Sequence, residues 1–75
     1  MPDVEMPLIE AAKRYLKDHY GEDTVSMDVT NNGVESGSGV LSVDCTVSVR
    51  GVTSDWSKEI FFKRGKVTTM SARMR

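Results

Sequence analysis

The chain holds one histidine, His19, and one cysteine, Cys45, and these are the side chains whose types could support acid–base or nucleophilic chemistry. Such chemistry needs a base titrating near neutral pH and a partner within hydrogen-bond reach. His19 falls in the last turn of a helical pattern, where a cation suits the helix dipole and an imidazole commonly closes the edge of a core. Cys45 falls on the apolar side of an alternating segment, where a buried thiol behaves as a small inert hydrophobe. Neither has a partner supplied by spacing. No catalytic residue is assigned, and a non-enzymatic role is expected.

Metal chemistry has no better footing. One His and one Cys fall short of a tetrahedral zinc site, and Glu22-Asp23 with Asp28 has neither the spacing nor the glycine of a calcium loop. The glycines of "GVESGSG" (33–39) join two strands, whereas a phosphate-cradling loop leads into a helix N-terminus. No metal ligand and no cofactor is therefore expected.

What remains is ionic. Residues 1–49 carry nine acids and three bases, and residues 50–75 carry seven bases and two acids, so a net charge of −1 conceals halves of −6 and +5. Charge divided this way can mark an anionic partner, although a compact fold also lays an acidic helix beside a basic hairpin. On the polyanion reading Lys63, Arg64 and Lys66 sit at a hairpin tip, with Arg50, Arg73 and Arg75 nearby in sequence and Phe61 free to stack on a base. Against it, the chain as a whole is slightly acidic, and it shows no helix-turn-helix, KH-like or RNP-like pattern.

The elements that must position these residues are legible from their periods. In "MPLIEAAKRYLKDHY" (6–20), Leu8, Ile9, Ala12, Tyr15, Leu16 and His19 recur at three- and four-residue spacing, which predicts an amphipathic helix. Pro7 suits its first turn, Glu10 and Arg14 form an i,i+4 pair, and Gly21 stands ready as the cap. Everything after Gly21 alternates with the period of strands. Segments 24–31, 40–50, 55–63 and 66–74 are the predicted strands, separated by "NNGVESGSG" (31–39), by a turn over 51–54, and by the tight tip of "FFKRGKVTTM".

Leu41, Val43, Cys45, Val47 and Val49 share one face of the central strand. On the third strand Trp56, Ile60 and Phe62 share a face, with Trp56 as a core aromatic. Met27, Met70 and Met74 read as gap-filling core, with Met1 and Met6 near the N-terminus. Even positions on both sides of the last turn point the same way, which calls for an odd-length loop. A three-residue loop, Lys63-Arg64-Gly65, is expected, pairing Phe62 with Lys66 and placing Gly65 where a bulged turn wants positive φ.

The fold expected is α+β: one helix on a four-stranded antiparallel meander, α-β-β-β-β, in a single small domain. A single helix covers one side of such a sheet, so the other side meets water or another molecule. In the expected register Phe61 faces Val67 on that open side, and Val40 shares its parity. These three residues are the candidate interface, for a homodimer or a larger protein assembly. No segment approaches the roughly 20 apolar residues of a membrane helix, the opening residues do not resemble a signal peptide, and a lone cysteine suits a reducing compartment. A cytoplasmic location and no membrane partner are expected. The function expected is that of a small interaction module, with nucleic-acid or polyanion binding by the basic hairpin as the alternative.

Overall fold

The computed structural model describes residues 2–75. Helix α1 spans Glu5–Tyr20, and strands β1 (Asp23–Asn32), β2 (Gly39–Val49), β3 (Val52–Lys63) and β4 (Lys66–Met74) follow in chain order. They form one open antiparallel sheet in the order β1-β2-β3-β4. Among the described residues no helix is long and apolar enough to cross a membrane.

The helix buries Leu8, Ala12 and Leu16, one residue per turn along a single stripe. It ends at Gly21, left-handed at φ 66°, with the Gly21 N–H donating to the Lys17 carbonyl and the Glu22 N–H to that of Leu16. Leu8 packs with Val34, Leu41, Ile60 and Phe62, while Leu16 packs with Cys45 and Val47. Sixteen residues make a helix of about 24 Å at 1.5 Å per residue. The molecule is 37 Å long. The helix therefore covers only part of its sheet face, and the part it leaves bare is the end beyond Leu16.

Both β hairpins around β3 turn on the same dipeptide. Arg50-Gly51 and Arg64-Gly65 each have two successive positive φ angles, 53° and 81° in the first and 53° and 79° in the second. That is what a two-residue hairpin turn requires, with glycine at the second place. The three-residue tip expected over Lys63-Arg64-Gly65 is thus corrected: Lys63 pairs with Lys66, and Phe62 with Val67. A bulge at Thr68 then restores the parity, so that Phe61 meets Thr69 and Ile60 meets Met70. The odd residue that the alternating pattern demands is present, but it lies in the strand and not in the loop. The other turn is also shorter than expected, and β3 begins at Val52.

Candidate protein-binding surface

The helix-facing side of β3 carries Val52, Ser54, Trp56, Lys58, Ile60 and Phe62 at alternate positions. Under the helix this row is closed: Ile60 is 0% exposed and Phe62 4%. Beyond the helix it opens. Val52 is 71% exposed, its cross-strand partner Val49 38%, and Met74, paired with Trp56, 61%. Tyr20, the last helical residue, is 49% exposed. Met74 was expected in the core; it lies on the edge strand where no helix reaches, so nothing covers it. Met6 is likewise exposed, and Met1 lies outside the described residues.

Lys58 organises the floor of this surface. Its side chain is 2% exposed, and its ammonium lies 2.9 Å from Glu22 Oε1, a carboxylate itself only 13% exposed. The same nitrogen lies 5.2 Å from the Trp56 ring centre and 5.9 Å from that of Tyr20. A charge removed from water must be paired, and an aromatic face adds to the attraction. One lysine therefore ties together β3, the residue after the helix cap, and the two rings that border the open end. Trp56 is further fixed by donating from Nε1 to Ser54 Oγ at 2.8 Å.

Cys45 lies between Met27 on β1 and Trp56 on β3 and is 0% exposed. Burial pushes its thiol above the ordinary value, and the positive charge of Lys58 opposes that shift. His19, expected to close the core edge, is exposed; its ring stacks on Tyr15 with centres 4.2 Å apart. Helix geometry places it one turn beyond Tyr15, on the flank and not on the buried stripe of Leu8, Ala12 and Leu16. Among the described residues no three His, Cys, Asp or Glu side chains are grouped to hold a metal ion.

The face opposite the helix differs from its expected form. Phe61 does not pair with Val67, which is the partner of Phe62 and packs against the helix-side core. The two-residue turn is the reason, since it gives Val67 to Phe62, and the bulge at Thr68 then passes Phe61 on to Thr69. Phe61 instead lies between Val40 on β2 and Thr69 on β4, and both Phe61 and Val40 are half-buried. The rest of that face is polar. Ser42, Asp44, Ser57, Glu59, Ser71 and Arg73 line a shallow trough of about 590 Å³, in which Ser57 Oγ donates to Asp44 at 2.8 Å.

The six candidate cations do not gather into one patch. Lys63, Arg64 and Lys66 are exposed at the β3–β4 tip. Arg50 occupies the turn at the opposite end of β3, about 35 Å away along an extended strand. Arg73 and Arg75 close β4, where Arg75 lies 3.9 Å from both Asp44 Oδ2 and Asp55 Oδ1 and donates from Nη2 to the Cys45 carbonyl at 3.4 Å.

No family model, no curated protein and no solved structure matches this chain. The surface itself carries the functional argument. Tyr20, Val49, Val52, Trp56 and Met74 make an apolar strip in which Tyr20, Trp56 and Met74 are of the types enriched at protein interfaces, held in place by a buried ion pair. Of these residues only Trp56, Val49 and Met74 stand out in the sequence, and there as core. Lys58 was missed, although its even parity with Trp56, Ile60 and Phe62 was a signal that it points inward. The exposure of the strip had no sequence signal, because it depends on how far the helix reaches.

Proposed function

We propose that the chain is a small non-catalytic interaction module that self-associates through the end of the sheet its helix leaves uncovered. The observation that carries this reading is the strip of Tyr20, Val49, Val52, Trp56 and Met74, four of them between 38% and 71% exposed and the fifth, Trp56, half-buried. Exposed apolar side chains at adjacent strand and helix positions favour a partner over water. Its rings need little ordering on binding, because Lys58 and Ser54 already hold them. Sedimentation equilibrium from micromolar to millimolar protein tests the reading. The expected result is a rise to twice the chain mass, suppressed by Met74→Lys, a substitution at an exposed site. A single-chain mass at every concentration overturns it.

A second reading, polyanion binding by the β3–β4 tip, has one observation in its favour. Among the described residues none of Lys63, Arg64 and Lys66 is in an ion pair, and the turn is tied down by Gly65 N–H to the Gly37 carbonyl at 2.8 Å. Three phosphate contacts give a salt slope of about −2.7, or roughly a forty-fold loss of affinity between about 50 and 200 mM salt. An oligonucleotide that fails to bind at the lower salt removes this reading.

A further inference from the structure

The two edges of the sheet are unlike. Along β1 the pairing with β2 slips twice, at Val25 and at Thr30. Such bulges twist an edge away from any strand that approaches it. On β4 the single slip is at Thr68. From Thr69 to Met74 the strand runs in unbroken register against Phe61 to Trp56, and the Arg75 N–H continues the ladder to the Asp55 carbonyl at 3.1 Å. Ser71, Ala72, Arg73 and Met74 are all exposed. A straight edge with exposed side chains offers alternate backbone N–H and C=O groups to a further strand.

We infer that this edge pairs antiparallel with β4 of a second copy, on a two-fold axis at Ala72. The inference rests on the self-association proposed above and names its geometry. Ala72 is the midpoint of the unslipped run Thr69–Arg75, so this register uses every regular position and leaves the bulge outside. It sets Met70 against the second copy's Met74 and Ala72 against the second copy's Ala72, all on the helix-facing side, which continues the apolar strip from one copy into the next. It sets Ser71 against the second copy's Arg73 and Thr69 against its Arg75 on the other side.

Charge is compatible with the same register and excludes those centred further along the strand. β4 carries Lys66 and Arg73, Arg75 follows it, and the segment has no acid. An axis at Arg73 would oppose two guanidinium groups, and an axis at Met74 would set Arg73 against Arg75. With the axis at Ala72 no cation faces another. Glu59 is the β3 neighbour of Ser71, so the incoming Arg73 lies two strand spacings, about 9.6 Å, from a carboxylate on the same face. Symmetry supplies that attraction twice. An axis between two residues would oppose a helix-side residue to an open-side one and break the apolar strip.

Two variants test the axis. Ala72→Lys alters an exposed position and puts two ammonium groups face to face in the dimer, and it is expected to weaken dimerisation by roughly a hundredfold with an unchanged melting temperature in dilute solution. Ala72→Cys in a Cys45→Ser chain brings two thiols together at the axis, where directly opposed Cβ atoms lie about 4.5–5.5 Å apart, and mild oxidation is expected to give a disulfide-linked dimer. A wild-type chain of doubled mass whose Ala72→Lys variant stays dimeric and whose Ala72→Cys variant does not cross-link overturns β4 pairing while leaving self-association standing. A wild-type chain that is monomeric throughout overturns both.

Discussion

The two ends of the sheet are built on opposite plans. At the β3–β4 tip almost every backbone group is engaged. The Asp3 N–H donates to the Val34 carbonyl at 2.7 Å, and the Asp3 carboxylate accepts from the Ser36 and Gly37 N–H groups at 2.9 and 2.7 Å. Glu35 and Ser38 exchange backbone hydrogen bonds, Gly65 bonds to Gly37, and Val34 is sealed at 0% exposure. At the far end a two-residue turn, Arg50-Gly51, projects beyond the helix with both residues exposed. The contrast has a physical cause. One helix of about 24 Å cannot close both ends of a 37 Å molecule. The N-terminal strap and the 33–39 loop close one; the other leaves apolar side chains uncovered, and it is there that the proposed self-association is placed.

Changes at the closed end should cost the most stability. Gly39 has φ 138°, and a Cβ there would run into the Gly33 carbonyl oxygen and reach 3.0 Å from Val34 Cα. Gly39→Ala is expected to cost about 3–5 kcal/mol, a large part of a total of roughly 4–11 kcal/mol for a domain of this size. Urea unfolding measures it, and a loss below about 1 kcal/mol would mean that the tip is not tightly closed.

Next comes the ion pair beneath the open end. Glu22→Gln leaves the Lys58 ammonium buried without a counter-charge and is expected to cost about 3 kcal/mol. Adding Lys58→Met removes the stranded charge and should recover much of that loss. A double variant as unstable as the sum of the two single ones would show that the two side chains act independently.

Asp3→Ala removes both acceptors from the strap and is expected to cost about 1–2 kcal/mol, again by urea unfolding. An unchanged midpoint would mean that the strap does not close the tip. The smallest effect concerns Cys45. Its folded thiol titrates above the unfolded one because burial disfavours the thiolate. The folded state therefore holds its proton more tightly, and the stability this contributes is complete below the ordinary thiol value and is lost as pH rises through the folded value. Cys45→Ala should flatten that alkaline decline. Prompt labelling of the native thiol by a disulfide reagent at neutral pH would contradict its burial.

The architecture was legible because it rests on period and punctuation: Leu8, Ala12 and Leu16 at four-residue spacing, and strict alternation from Leu41 to Val49. Gly21 closed the helix from sequence alone. The tip was harder. Parity required one odd residue, and a bulge at Thr68 satisfies parity as well as a longer loop does. What decided between them was long-range, the hydrogen bonds of the turn to Gly37 and to Ser38 Oγ. Phe61 kept its outward direction, but its expected partner Val67 turned inward with the bulge. Lys58 shows the converse. Its inward direction follows from parity, yet its meaning appears only when Glu22, Tyr20 and Trp56 are brought around it. The exposed strip was hidden for a simpler reason: buried and uncovered strand positions here use the same residue types, and only the length of the covering helix separates them.

Trp56 is the one tryptophan of the chain and stands inside the strip, so its fluorescence is a single-site report on the proposed interface. Emission recorded over a dilution series from millimolar to micromolar protein is the most direct test. The account predicts a maximum that moves to longer wavelength as the chain is diluted and the strip returns to water, with Met74→Lys showing no shift on dilution. A spectrum that is the same at every concentration, in wild type and variant alike, would contradict it.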